Sequence, residues 1–303
     1  MKTFNKLMSI VVIAAIVSCN QSENYSSVQD FYVRNGVPMQ TYTINGTSRG
    51  SFTSPQGTIV SIPANAFVTL GNVAVTGDVT IQFKDIYKKS DMLLSNITTE
   101  SYDVPLVSGG EFFINAKYNN SDVFLANGKS ITVTQPRALT NSLDSAAMQP
   151  FSANVSDSGG VIDSSPWYPS ANDSIYTTTS NYVYTLTQLN GYTWLNTDHP
   201  LSGYVSTELT IHPNEGIASY NTQVFLLLNN ISSMVSLSYY PGTGFHYYYA
   251  PQGMQCTVVA FGVKDGNLYS SFIPITIGSN QTYNFSLNQT TTAEFKTQLE
   301  GLN

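Results

Sequence analysis

Residues 77–87, "GDVTIQFKDIY", decide the fold class. Val79, Ile81 and Phe83 alternate with Thr80, Gln82 and Lys84. A period of two puts the apolar side chains on one face of an extended chain and the polar ones on the other. A helix would scatter them, because its neighbours lie three or four residues apart. The segment is therefore read as a half-buried strand opened by the turn-former Gly77. Segments of the same kind surround it: "TYTI" from Thr41, "GTIVSIP" from Gly57, "GEFFINAKY" from Gly110 and "KSITVTQP" from Lys129. Asn45-Gly46 and Asn127-Gly128 read as hairpin turns. Turn residues recurring about every 8–12 positions point to a β-sandwich.

The rest of the chain extends this reading. From Ile175 strand-like segments resume through "GYVSTELTIHP", "TQVFLLLNN", "MVSLSYY", "FHYYYAP", "MQCTVVAFGV", "LYSSFIPITIG" and "TYNFSL", enough for a second sandwich. Asp265-Gly266 reads as a hairpin. The tail "TTAEFKTQLEGL" is a helix signal, with Thr291 or Thr292 as cap and Phe295 and Leu299 on one face. With 303 residues, 42% of them hydrophobic, the chain can fill two cores. The expectation is an all-β protein of two β-sandwich domains in tandem with a short C-terminal helix. Charged residues are 10% against the usual quarter, and the net charge is −7. Nothing resembles a basic stripe, which excludes nucleic acid as a partner.

The N-terminus carries an address. Lys2 and Lys6 precede an apolar run, residues 7–17, broken only by Ser9. That run is shorter than the roughly 20 residues needed to span a bilayer. It ends Ile16-Val17-Ser18-Cys19, which resembles the bacterial lipobox. The resemblance implies a signal peptide over 1–18, cleavage before Cys19 and acylation of that residue. Each buried methylene is worth about 0.8 kcal/mol, and several chains together hold a protein on a membrane. The partner implied is a membrane, reached through a lipid anchor at the outer membrane or cell surface. Cys256 is then the only other cysteine, so no internal disulfide forms. Its apolar, alternating surroundings fit a buried strand thiol. Residues 19–41 are polar and weakly patterned, and read as a tether in which Phe31, Tyr32 and Val33 add a short strand.

Within residues 42–136, the stretch from Gly57 to Leu93 is similar to the core of the ZU-five domain of ankyrins and netrin receptors. Gly57, Ile62, Pro63, Ala66 and Phe67 carry the likeness, followed by Val79 and Ile81. The physical reading is the same: Pro63 has no N–H to donate, so the strand ends there and Ala66 and Phe67 turn back onto the core. Together with residues 93–116 the layout also resembles surface lipoproteins of Gram-negative bacteria. Some ZU-five relatives cleave themselves at a His-Phe-Ser step, which this chain lacks. Residues 137–175 are rich in Ser, Asn, Asp and Pro without a period, and read as a linker to a second domain over 176–303. Within the linker, Asp144-Ser145-Ala146 and Asp173-Ser174-Ile175 resemble a bacterial O-glycosylation site at Ser145 and Ser174.

Candidate chemistry is sparse. "GTSRG" fits Gly-x-Ser-x-Gly, but a nucleophile elbow needs a strand before Ser48 and a helix after it, and a turn is the better reading. His199, His212 and His246 form no zinc-type pair, and no calcium loop occurs, so no metal or cofactor is expected. Asp85, Asp91, Glu100 and Asp103 read as solvated loop charges. No pattern locates the two convergent carboxylates of a glycosidase. In "GYTWLNTDHP", Trp194, Asn196 and Asp198 alternate and share a strand face: either a polar-aromatic binding spot or a buried Trp beside a turn. The hairpin "SLSYYPGTGFHYYYAP" carries Tyr239, Tyr240, His246, Tyr247, Tyr248 and Tyr249. Tyrosines there either contact a sugar or protein, or simply line a solvent face. The expected role is non-enzymatic binding or scaffolding at the cell envelope, with no catalytic residue. Binding of a glycan for uptake is one alternative, and a hydrolase whose site only the fold assembles is another.

Overall fold

The computed structural model describes residues 23–102, 104–140, 148–153, 167–189, 193–213 and 221–303. The first half contains α1 (Val28–Asn35), β1 (Gln40–Asn45), β2 (Gly50–Thr53), β3 (Ile59–Ile62), β4 (Phe67–Val68), β5 (Asp78–Ile86), α2 (Lys89–Leu94), β6 (Glu100–Ser101) and β7 (Val104–Tyr118). Next come β8 (Ser121–Asp122), β9 (Phe124–Leu125), β10 (Ile131–Pro136), β11 (Gln149–Ala153), β12 (Tyr168–Pro169), β13 (Ser174–Thr177), β14 (Asn181–Leu186) and β15 (Thr193–Pro200). The remainder is β16 (Ser206–Pro213), β17 (Thr222–Leu228), β18 (Met234–Ser236), β19 (Ser238–Tyr240), β20 (Gly244–Pro251), β21 (Gln255–Lys264), β22 (Asn267–Thr276), β23 (Gln281–Phe285), β24 (Asn288–Thr290) and α3 (Thr292–Glu300).

The protein is all-β, built on four main sheets. One runs β1-β5-β7-β15-β11-β12, and a second runs β13-β14-β10-β3-β2. A third is β19-β20-β16-β23, and a fourth is β18-β17-β21-β22-β24. The first and second sheets enclose one core around Val79, Ile81, Phe83, Phe112, Val133 and Tyr184. The third and fourth enclose another around Leu209, Ile211, Leu226, Tyr247 and Val258. Between the first and fourth sheets lies a shared core. It joins Phe113 and Trp194 to Phe225 and Phe261, with Phe31 of α1, Leu93 of α2 and Phe295 of α3.

This layering explains how β5 reads. Val79, Ile81 and Phe83 are fully buried as the alternation requires. The alternation then fails at Lys84, Asp85 and Ile86, all buried, because there the sheet is covered on both faces. β3 ends at Ile62 before Pro63, and Ala66 and Phe67 are buried. α3 starts with a capping box between Thr291 and Glu294, and Phe295 and Leu299 are fully buried. Asp265-Gly266 makes the β21–β22 hairpin, with both residues at positive φ.

Four expectations are corrected. Asn45-Gly46 does not close a hairpin: β1 pairs with β5 and β2 with β3, so the turn carries the chain from one sheet to the other. Asn127-Gly128 does the same, since β9 pairs with β4 and β10 with β3 and β14. The tether over 19–41 is folded where it is described. Residues 28–35 form α1, whose Val28, Phe31 and Tyr32 enter the shared core instead of adding a strand. The segment 137–175 does not separate two sheet systems. β11 and β15 extend the first sheet through β7, and β13 and β14 extend the second through β10. Long-range pairing of β15 with β7 therefore carries the first sandwich on to Pro200, beyond the expected boundary at 175.

Candidate functional site

Two polar-aromatic constellations meet the sequence expectations, one interior and one exposed. The interior one holds Trp194, Asn196 and Asp198 of β15, all fully buried. They do share a face, but the shared core covers it. The sequence pattern gave the face and not its cover, and of the two readings the buried Trp is the one realised. Asn196 bonds its neighbours on both sides. Its amide donates to Asp198 Oδ2 at 2.6 Å and approaches Glu111 Oε1 at 3.5 Å, and it accepts from Ser108 Oγ at 3.0 Å. Glu111 Oε2, Asp198 Oδ1 and Trp194 Nε1 have no hydrogen-bond partner among the described residues. Burial raises both carboxyls well above the carboxylate range, and Asp198 adds to the effect at Glu111. Both acids are thereby favoured in the neutral form. The β7–β15 register slips between Asn196 and Asp198, opposite Ser108 and Glu111, a bulge that re-aims these side chains.

Asp85 lies on the opposite face of the same sheet and is also fully buried, not a solvated loop charge. Its Oδ2 accepts from Ser54 Oγ at 2.5 Å and from Thr58 Oγ1 at 2.6 Å. Thr58 in turn meets the Tyr87 hydroxyl. Glu111 and Asp85 were not singled out as site residues by sequence reasoning. The Gly109-Gly110 pair before Glu111 was the available signal, because Gly110 sits at φ +124° in a space that a Cβ cannot enter.

The exposed constellation is the outer face of the β19-β20-β16-β23 sheet. Phe245 and Tyr247 of β20 enter the core, while His246 and Tyr248 lie on the other face, His246 buried beneath its neighbours and Tyr248 exposed. Tyr240 of β19 and Glu208 of β16 flank them. The Tyr240 ring stands edge-on to His246 at 5.4 Å and to Tyr248 at 6.0 Å. His246 and Tyr248 are nearly parallel, at 5.8 Å and 18°. Four tyrosines are 41–47% exposed: Tyr239, Tyr240, Tyr248 and Tyr249. His246 is held by three groups. Nε2 donates to Thr243 O at 2.8 Å, while Nδ1 faces Glu208 Oε1 at 2.8 Å and Thr210 Oγ1 at 3.2 Å. Desolvation, then Tyr240 and Glu208, raises Tyr248, so its hydroxyl stays a neutral donor. The arrangement offers flat apolar rings, phenol hydroxyls and a carboxylate in one place. It can stack on a ring and hydrogen-bond its substituents.

The remaining residues separate cleanly. Tyr247 is 5% exposed and belongs to the core, so it leaves the set of surface candidates. Ser48 is exposed in the turn after β1, with no helix following it. Cys256 is a free, fully buried thiol that burial pushes up to about 12. Ser174 is exposed at the start of β13. Ser145 and Cys19 lie outside the described residues. Among the described residues no group of three or more His, Cys, Asp or Glu is placed to hold a metal ion. No helix among them is long and apolar enough to cross a membrane. No protein-family model matches the chain, and no curated protein matches it.

Proposed function

We propose that the chain is a lipid-anchored cell-envelope protein that binds a ligand without transforming it, through the aromatic face of the β19-β20-β16-β23 sheet. The ligand class that fits best is a saccharide. One observation carries this reading: the exposed rings of Tyr240 and Tyr248 share the outer face of the sheet with the Glu208 carboxylate, over a His246 that is only 9% exposed and packs beneath them. A sugar ring has an apolar face to stack and hydroxyls to bond, and the site offers both complements. Ordering costs little, because His246 is already fixed by three hydrogen bonds. The 2.8 Å contact between His246 Nδ1 and Glu208 Oε1 holds the carboxylate that would accept from sugar hydroxyls. The lipobox-like end at Cys19 supports the anchor, and a ZU-five-like stretch without the His-Phe-Ser step of self-cleaving relatives supports a non-catalytic module.

A glycan array tests the ligand class. Tyr248→Ala and Glu208→Gln should abolish a positive signal, while Tyr247→Phe, a conservative change in the core, should keep it. Retention of binding in both surface variants would remove the aromatic face from the reading. Palmitate labelling of the wild type and of Cys19→Ala tests the anchor separately, and equal labelling would refute it.

A further inference from the structure

We propose that the outer face of the β13-β14-β10-β3-β2 sheet carries a second, independent binding groove for an acidic oligosaccharide. The groove encloses about 540 Å³ and is lined by Arg49, Lys129, Ser51, Ser61, Ser130 and Thr132, among others. Register builds its floor. Thr132 lies opposite Ser61, and Ser61 opposite Ser51. On the other side Thr132 follows the same row through Thr185 to Ser174, because Thr132 pairs with Thr185 and Thr185 with Ser174. Five hydroxyl side chains thus form one row across five strands, about 19 Å long at the usual spacing of about 4.8 Å. All five are half-buried or exposed, which places them on the solvent side of the sheet.

Two cations line the groove beside that row, Arg49 just before β2 and Lys129 just before β10. The chain has 12 Lys and Arg against 19 Asp and Glu. Four other cations are engaged: Arg34 pairs with Asp30, Lys117 with Asp122, Lys89 donates to Leu228 O, and Arg137 donates to Thr178 O. Among the described residues neither Arg49 nor Lys129 has an acidic partner within 4.0 Å. In a net-acidic protein, two unneutralised cations converging on one groove are a local anion site. Nucleic acid does not fit, since two cations cannot neutralise a backbone with a charge every ~1.7 Å. A single small anion would occupy the cations and leave the row unused. A chain of sugars bearing carboxylates uses both: a carboxylate at Arg49 and Lys129, and ring hydroxyls along the row. The groove lining contains no aromatic side chain, so recognition here runs on charge and hydroxyls, unlike the aromatic face.

Calorimetric titration of the full chain decides this. The probes are tetragalacturonic acid, neutral cellotetraose and inorganic phosphate. The acidic tetramer should bind, and binding should weaken about tenfold or more in Arg49→Ala/Lys129→Ala, the size expected for losing a charge-assisted bond. It should also weaken as salt rises from about 0.1 M to about 1 M, where the screening length falls to about 3 Å. Thr132→Val, which keeps the strand and removes a hydroxyl, should weaken it several-fold. Tyr248→Ala should leave it unchanged, so failure of the aromatic-face reading is seen separately. The proposal is overturned if phosphate alone or the neutral tetramer binds as tightly, if the double variant binds like wild type, or if the acidic tetramer does not bind.

Discussion

Phe31→Ala asks whether the segment that forms α1 belongs to the fold. Phe31 is fully buried in α1. Its ring meets Tyr25 at 5.2 Å, Phe261 at 5.2 Å, Phe295 at 5.7 Å and Tyr32 at 6.1 Å. Truncation removes a buried aromatic and leaves a cavity between α1, α3 and the fourth sheet, a change that costs about 3–5 kcal/mol. At about 2 °C per kcal/mol for a chain of this size, the unfolding midpoint should fall by about 6–10 °C. A solvated tether would lose less than about 0.5 kcal/mol, or about 1 °C. Scanning calorimetry at one pH and scan rate separates the two outcomes. A shift below about 2 °C would refute the docking of α1. The result bears on function. If Cys19 carries the lipid, residues 19–22 are all that precede the described body, and four residues reach at most about 14 Å. The folded part would then sit against the membrane instead of standing off on a long tether.

Other outcomes follow from the same structure. Glu111 holds its proton more tightly folded than unfolded, so its share of stability is complete below the ordinary carboxylate pKa near 4 and is lost as pH rises. Glu111→Gln should flatten the decline of the unfolding midpoint above about pH 4, and an unchanged pH profile would contradict this. Gly110→Ala places a Cβ 2.6 Å from Tyr87 Cδ1 at φ +124° and should cost several kcal/mol by denaturant titration. Thr291→Ala removes the capping box of α3 and should cost about 1 kcal/mol. Cys256, buried and raised to about 12, should react with a thiol reagent at pH 8 only after denaturant is added.

Local signals were legible in the sequence. The alternation of β5, the capping of α3 and the Asp265-Gly266 hairpin each depend on residues within one element. α1 was legible in principle. Ser27 caps it and accepts from Asp30 N, and Val28, Phe31 and Tyr32 fall at helical spacing. Eight residues are marginal as an isolated helix, and only tertiary packing holds them. The boundary at 175 was not legible, because the pairing of β15 with β7 joins residues far apart in the chain. At the aromatic face, the alternation separates Tyr247 from Tyr248. The exposure of both Tyr248 and Tyr249 depends on a register shift near Thr207 and Leu209, and no local pattern announces it. For Trp194, Asn196 and Asp198 the face was right and its burial was not. What covers that face is a sheet and three helices from elsewhere in the chain.

The three cores together fix how the two candidate surfaces relate. The first sheet contributes Phe112 to one core and Phe113 to the next, and the fourth sheet contributes Phe225 to the shared core and Leu226 to the last. Each of these inner sheets is therefore packed on both faces. Among the described residues the second and third sheets each pack on one face only, and their outer faces carry the hydroxyl row and the aromatic cluster. A stack of this kind puts the two surfaces on opposite outer layers. It also explains why polar groups can be buried at the bulge beside Glu111: dense packing on both sides holds Asn196 between the two acids. Hinging between the sandwiches would expose that cluster and ionise it in water. A shared core with neutral acids beside it therefore favours one rigid body presenting two separate faces.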